Sequence, residues 1–392
     1  MNLKEIFKEK KSILDDKRLL YVIVFAVMFV VYIFPVGLIN KYFNISIPLD
    51  KLIFFIIIIS IFIIYKISIR SISKSEIIFI ILTILFTILT KEIKCLIFLT
   101  LLLLDELIKH KNKIIDIFKE SKILYICVAF TIFYTVLYKI LGMVRSDRYA
   151  FSAIAEINQS GLAIFCLSIL LMIKNKKIGY GFMIFGLLTV SRSYFLAVIL
   201  FVISQLPIIK KMLTNIKIIK NCNYIVLTVV TSIVLILIAY FYIYENSIGN
   251  VYWGDNVENR LINILDYSNL FRFVTNLVLV MIFYEKPVKL LGGLKDIEYV
   301  NYGKTCFERL GIPYKNIYPH NLFFSHLKIY GIYSFIETWY INKILKKIVT
   351  KNNFIIFFSI FLYSILLGAG LYSYWIFLTC FVLMSCDDNK DD

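Results

Sequence analysis

The chain has 392 residues, 60% of them hydrophobic, and its 43 Lys and Arg against 26 Asp and Glu give a formal net charge of +17. The apolar residues come in blocks of about fifteen to twenty, long enough to cross a bilayer core, so the composition predicts a polytopic membrane protein and excludes a soluble globular domain. Because the basic residues form short clusters between these blocks, the charge indicates membrane topology and excludes a nucleic-acid-binding role.

An all-α fold of about twelve transmembrane helices is predicted from the apolar blocks. The blocks lie at residues 19–39, 52–69, 76–90, 93–108, 123–142, 153–173, 178–190, 194–209, 224–244, 321–341, 354–370 and 372–386. The first is too long for a signal-peptide core and is read as a retained span. The number of spans within residues 76–108, and within 354–386, can differ by one from this prediction, because little polar sequence separates the two apolar blocks of each pair.

The basic clusters predict that both termini lie in the cytoplasm, with the lysine-rich segments 109–122, 174–177 and 343–351 on the same side. Three parts follow from this topology. Residues 1–244 form spans one to nine, residues 245–318 form an extracytoplasmic loop, and residues 319–392 form the last three spans and a short acidic tail. Within the loop, the apolar segment near 270–284 predicts a short amphipathic or re-entrant helix. The Ile-, Lys- and Asn-rich composition suggests an AT-rich bacterial genome, and so a bacterial cytoplasmic membrane.

The seven cysteines show no metal-ligand spacing, and most lie in or beside apolar blocks, where a thiol packs as a small hydrophobe. The chain has only three histidines, His110, His320 and His326. A zinc site, a disulfide framework and a metal or other cofactor are therefore not expected.

Several arginines fall in short segments that the topology places outside, against the trend that external loops are poor in basic residues. They are Arg145, Arg148, Arg192 and, beside the apolar loop segment, Arg272. The planar guanidinium binds phosphate oxygens through two parallel hydrogen bonds, so an arginine set suits a diphosphate. Each arginine also has a simpler explanation, since such residues often extend to the membrane interface from a helix end or pair in a solvated loop.

Pro319, His320 and Asn321 stand where the polar loop runs into an apolar helix. Proline is tolerated in a first helical turn, and the free N–H groups of that turn favour anions, so His320 is a candidate base beside a bound phosphate. Asn321, Asn158 and Glu156 are supporting candidates, although an asparagine can simply cap a helix and Glu156 can pair with an arginine. His326 is a secondary candidate within the tenth span, and Glu337 is expected at its interfacial end.

Four sequence motifs, taken in chain order, resemble those of the O-antigen polymerase and O-antigen ligase superfamily of membrane glycosyltransferases. Four motifs carry the resemblance: Arg148 to Gly161, Leu188 to Ser193, Leu270 to Gly293, and Pro319 to Leu322 with Tyr330 and Gly331. Together they cover residues 145–335. The chain departs from the family pattern at Ser193, where a glycine is usual, and before Asn158, where a proline is usual.

The resemblance implies metal-independent, inverting transfer of a glycan from a polyprenyl diphosphate to a sugar hydroxyl outside the cytoplasmic membrane. His320 would be the catalytic base, and Arg148, Arg192 and Arg272 would bind the diphosphate. Undecaprenyl-diphosphate-linked repeat units are the implied substrates, with a chain-length regulator and a flippase as candidate partners. A polymerase for capsule or other exopolysaccharide is the expected member.

Three alternatives stay open. An O-antigen ligase would use the same motifs to move finished glycan to a different acceptor. A flippase or transporter of lipid-linked oligosaccharide would need charged or broken helices within the membrane, and the predicted spans are nearly free of charge. A non-catalytic assembly subunit would tolerate replacement of His320.

Overall fold

The computed structural model describes residues 17–43, 49–69, 74–90, 93–144, 149–151, 156–209, 223–244, 267–311, 319, 321–367, 371 and 373–386. These residues form helices joined by turns, with no strand among them, as the predicted all-α class requires. The α-helices are numbered here in chain order: α1 (Lys17–Met28), α2 (Val36–Phe43), α3 (Leu49–Ile69), α4 (Lys74–Thr90), α5 (Thr100–Ile108), α6 (Lys111–Glu120), α7 (Ile123–Ile140), α8 (Ile157–Lys174), α9 (Lys176–Phe185), α10 (Arg192–Gln205), α11 (Tyr224–Tyr244), α12 (Tyr267–Glu285), α13 (Lys289–Gly292), α14 (Asp296–Arg309), α15 (Leu322–Tyr330), α16 (Tyr333–Ile348), α17 (Phe354–Leu367) and α18 (Tyr374–Cys386).

Helix α8 shows how local sequence sets the helix boundaries. Glu156 precedes it with extended backbone and accepts hydrogen bonds from the amides of Asn158 and Gln159, which lack partners inside the helix. At the other end Asn175 is extended, with φ −154°, and its side chain accepts from the amides of Lys177 and Ile178. One residue therefore ends α8 and starts α9.

The bundle is apolar inside and outside. Nearly every residue of α18 is buried, and so is most of α8. The outer faces of α4, α7 and α11 also expose large apolar side chains, including Ile81, Phe133 and Leu237. A soluble protein seldom exposes apolar surface on this scale, whereas a surrounding bilayer favours it.

Among the residues that the structure describes, two helices are long and apolar enough by themselves to cross a membrane, Ile123–Ile140 and Ile157–Lys174. The pair Lys17–Ile33 and Val36–Phe43, bent by 49°, adds a third if it is one span. The bend lies at Pro35, which has no N–H to continue the helical hydrogen bonds. In the other apolar helices, α3 and α11 among them, the stretch with described side chains is shorter than 18 residues, so the twelve-span arrangement stays a prediction.

One end of the bundle, named here the Lys17 end, gathers segments that the sequence assigns to the cytoplasm. Lys17 pairs with Glu120 at 2.5 Å, and the Lys174 ammonium donates to the carbonyl oxygen of Ser121. At the opposite end, the Lys41 ammonium lies 3.3 Å from the carbonyl oxygen of Leu141. The predicted cytoplasmic segments 109–122 and 174–177 therefore meet near Lys17 at one end of the bundle.

Helix α6 lies within the segment that the sequence predicted as a cytoplasmic loop. Its residues Ile114, Ile115, Ile117 and Phe118 are buried, and the helix packs against α1, α8 and α18. An amphipathic helix of ten residues is too short for a span, which is why counting apolar blocks missed it.

The predicted tenth span, 321–341, is broken into α15 and α16. Gly331 has a left-handed φ of 56° and ends α15. The break is sharp, because His326 of α15 and Glu337 of α16 approach to 2.6 Å between Nδ1 and Oε2. Residues eleven positions apart in a straight helix would be roughly 16 Å apart along its axis.

The described loop helices, α12 to α14, have a hydrophobic cluster of their own. Phe271, Val278 and Ile282 of α12 pack with Phe307 of α14, and Phe324 of α15 joins them. Helix α12 covers the segment in which a short amphipathic or re-entrant helix was predicted, and it also contacts α11. The loop therefore packs directly on the bundle.

Candidate functional site

Asn158 and Glu156 form a hydrogen-bonded group at the start of α8. Glu156 Oε1 accepts from the Asn158 backbone amide at 3.1 Å and from Asn158 Nδ2 at 3.0 Å, while Oε2 accepts from the Gln159 amide at 2.6 Å. Glu156 is thus a helix cap that also fixes the side-chain amide of Asn158. The Glu156 side chain is exposed.

The start of α10 meets this group. Ser191 Oγ donates to Asn158 Oδ1 at 3.0 Å, which joins two predicted motifs 33 residues apart. Val190, before it, has a left-handed φ of 49°, a costly conformation for a β-branched residue that sharpens the turn into α10. Glu156, Asn158, Ser191 and the first residue of α10, Arg192, are called here the Asn158 cluster.

Arg192 occupies the first turn of α10. Ser191 makes no side-chain capping bond to that turn, and its hydroxyl donates to Asn158. The half-buried Arg192 therefore stands beside backbone amides at a positive helix end. A guanidinium and a helix start together provide donors suited to phosphate oxygens. Ser193, where the family has glycine, adopts ordinary helical backbone here.

Asn321 caps α15. Its Oδ1 accepts from the amides of Phe323 and Phe324 at 2.9 and 3.3 Å, and its Nδ2 donates to Ser232 Oγ of α11 at 3.3 Å. The residue is fully buried. The predicted helix start is therefore present directly after His320, and Asn321 fixes its position against α11.

Helix α17 connects the described parts of the site. It contacts α8, α10 and α15, the helices that start at the Asn158 cluster and at Asn321. Its Tyr363 hydroxyl is buried, and a Cβ atom added at Gly161 would lie 3.0 Å from it. Gly161 thus leaves room for this close packing one turn below Asn158.

The other predicted site residues lie outside the region where side chains are described. These are His320, Arg145 and Arg148, and also Arg272, whose backbone belongs to α12. Their roles stay predictions. Among the described candidates, the structure joins Glu156 and Asn158 to the start of α10, and it places Asn321 on α11.

Sequence reasoning was wrong about Glu337, which was expected at an interface. Glu337 and His326 are buried, with 2% and 5% of their surfaces exposed, and they pair with each other. Lys328 is also buried and pairs with Asp296 of the loop at 2.5 Å. The expectation that the predicted spans are nearly free of charge therefore fails in α15 and α16. Such residues inside a membrane protein are functional candidates.

A pair of backbone hydrogen bonds fastens the loop to the break between α15 and α16. The Leu294 amide donates to the carbonyl oxygen of Lys328 at 2.6 Å, and the Ile332 amide donates to that of Leu290 at 2.7 Å. These two hydrogen bonds are called here the latch. The break leaves backbone N–H and C=O groups without partners inside a helix, and the latch supplies partners for two of them. Such groups must be hydrogen-bonded when they lie in an apolar environment.

No known protein family, curated protein or solved structure matches the chain.

Replacing Asn158 with aspartate tests the cluster. A carboxylate there would face Glu156 at about 3 Å and lose the donated hydrogen bond, so we expect a loss of roughly 1–3 kcal/mol in stability together with weaker activity. The matched control is Asn175→Asp, since Asn175 uses only its acceptor oxygen in capping α9. Thermal unfolding in detergent should separate the two variants, and equal midpoints would contradict the assigned contacts.

Proposed function

We propose that the protein is a polysaccharide polymerase in the bacterial cytoplasmic membrane, with about twelve spans and its site on the outer face. It transfers a glycan from undecaprenyl diphosphate to a sugar hydroxyl of a lipid-linked repeat unit. The observation that carries the proposal is the hydrogen bond from Ser191 to Asn158, because it brings two separately matched motifs into contact beside Arg192.

In the proposed reaction, the acceptor hydroxyl oxygen attacks the anomeric carbon and its proton passes to His320. The bond between that carbon and the diphosphate oxygen breaks, and the electron pair leaves with the polyprenyl diphosphate. Arg148, Arg192 and Arg272 stabilise the charge that develops there, as preorganised donors do in other transfer reactions. The attack inverts the anomeric centre.

His320→Ala tests the assignment of the base. Loss of a general base lowers rates by about 10²–10⁴-fold, so the variant should leave single repeat units on the carrier lipid where wild type makes long chains. His110→Ala is the matched control, since His110 precedes α6 at the Lys17 end and should leave chain length unchanged. The measurement is the glycan length distribution in the native host at matched protein level.

An unchanged distribution for His320→Ala would remove the catalytic role of this histidine. Long polymer that stays on the carrier lipid in a null strain and fails to reach its final acceptor would instead identify a ligase.

Transport of lipid-linked oligosaccharide is the second candidate, because the broken α15–α16 segment and the buried pair of His326 and Glu337 are features of transporters. Purified protein in detergent micelles separates the two functions. Micelles have no compartments for a transporter to connect, so elongation of lipid-linked repeat units there would support polymerase and exclude transport as the sole function.

A further inference from the structure

The loop exposes an unusual amount of apolar surface where α12 ends and α14 begins. Tyr284, Val288, Leu291 and Ile297 are 87%, 77%, 61% and 76% exposed. These four residues are called here the hairpin tip. Surfaces in water rarely place this many large apolar side chains together, so the hairpin tip indicates contact with another apolar phase or surface.

The hairpin tip continues the apolar outside of the bundle. The latch bond from Ile332 to Leu290 holds it beside the start of α16. There Ile332, Phe335 and Trp339 are 41%, 46% and 46% exposed, and their spacing of three and four puts them on one helix face. Helix α13 also contacts α4, which has an exposed apolar face.

Three acidic groups near the hairpin tip are paired within the protein. They form three ion pairs: Glu285 with Arg309, Asp296 with Lys328, and Glu298 with Lys289. The hydrogen bond from Lys289 holds the pKa of Glu298 below its ordinary value, so this carboxylate stays charged and paired.

Two exposed lysines border the same surface. Lys286 and Lys295 flank α13, and neither forms an ion pair with a described acidic side chain, although the charge of Lys295 helps to lower the pKa of Glu298. Lys286 instead lies 5.9 Å from the ring of Tyr302. The outward-facing charge at this apolar surface is therefore positive, which complements the phosphates of anionic lipids.

We propose that the hairpin tip is embedded in the lipid leaflet bordering the loop, with its apolar side chains among the acyl chains and Lys286 and Lys295 at anionic headgroups. This inference rests on the membrane location in the proposed function and is independent of glycan transfer. A second copy of the chain is a poorer occupant, since the surface is continuous with helix faces that require lipid themselves.

Tryptophan fluorescence in vesicles tests the embedding. Val288→Trp is made in full-length protein whose native Trp253, Trp339 and Trp375 are replaced by phenylalanine, with Leu291→Trp as a second reporter if the first variant folds poorly. Vesicles contain phospholipids brominated at known acyl depths. We expect bromine to quench the fluorescence of the Val288→Trp variant and aqueous iodide to leave it nearly unchanged.

Thr305→Trp is the matched control, because Thr305 is exposed on α14 eight residues after Ile297, beside the exposed charged residues Lys304 and Glu308. Iodide should quench this control and bromolipid should not. Iodide quenching of the Val288→Trp variant would overturn the proposal by placing the hairpin tip in water. Protection of that variant from both quenchers would also overturn it, by showing that protein covers the surface.

The lysines are tested with brominated phosphatidylglycerol against brominated phosphatidylcholine at equal fractions. One lysine near the membrane surface favours association with anionic lipid by about fivefold. Brominated phosphatidylglycerol should therefore quench the Val288→Trp variant more strongly than brominated phosphatidylcholine. Adding Lys286→Gln and Lys295→Gln should abolish that difference and leave overall quenching intact. Equal quenching by the two lipids with both lysines present would overturn the headgroup assignment.

Discussion

Gly331→Ala is expected to destabilise the protein by about 3 kcal/mol or more, the largest effect anticipated for a single added methyl group here. Gly331 has a left-handed φ of 56°, where a side chain costs about 1–2 kcal/mol. An added Cβ atom would also lie 2.2 Å from the carbonyl oxygen of Leu290 and 2.8 Å from the Gly293 amide nitrogen. Both neighbours are backbone atoms of the latch segment, so they cannot move aside without breaking it.

Gly311→Ala separates the two causes. Gly311 has a similar φ of 66°, but no atom of the residues that the structure describes lies within 4 Å of its added Cβ atom. Its replacement therefore carries the conformational cost alone. Thermal unfolding of detergent-purified protein should rank wild type above Gly311→Ala, and Gly311→Ala clearly above Gly331→Ala. Equal losses would show that the close approach to Leu290 contributes nothing.

Glu337→Ala is expected to cost about 3–5 kcal/mol, because it removes one partner of a buried polar pair. The pair has a 2.6 Å contact between His326 Nδ1 and Glu337 Oε2, and both side chains are almost fully buried. The ring of His326 also packs edge-on against Phe98 and Tyr330, which helps to hold it in the core.

The double variant His326→Leu with Glu337→Leu provides the control. Replacing both members of a buried pair by apolar side chains is often close to neutral, so the double variant should be much more stable than Glu337→Ala. Thermal unfolding gives the stability, and polymer length in the host gives the function. A stable double variant that makes no polymer would assign the pair a functional role. Equal loss of stability in the single and double variants would contradict the pairing.

The sequence was most informative where structure depends on local composition. Helix α11 spans Tyr224–Tyr244, the same limits that its apolar block predicted, and α7 begins at the predicted residue 123. The length of an apolar run can be read directly from the sequence, and a helix forms its backbone hydrogen bonds between residues close in sequence. The ends of these two helices therefore do not depend on distant residues. The helical class was predictable for the same reason.

Features set by distant contacts were not predictable. The break after Tyr330 involves Leu290, forty-two residues before Ile332, and only the folded chain shows that Ile332 donates to it. Glu337 looked interfacial because it lies near the end of the predicted span 321–341. In the site, sequence order suggested that Asn158 and Arg192 act together, but the linking residue, Ser191, was found from its contact. No spacing rule assigns a serine that role.

The latch has a consequence for the dynamics of the loop. Its two hydrogen bonds cross between α13–α14 and the α15–α16 break, so the loop cannot lift away without freeing backbone groups of the broken helix. Segments that share such bonds open as one cooperative unit in native-state hydrogen exchange. The amides of Leu294 and Ile332 should therefore exchange deuterium at matching rates, and the loop should move together with the broken helix as a single body.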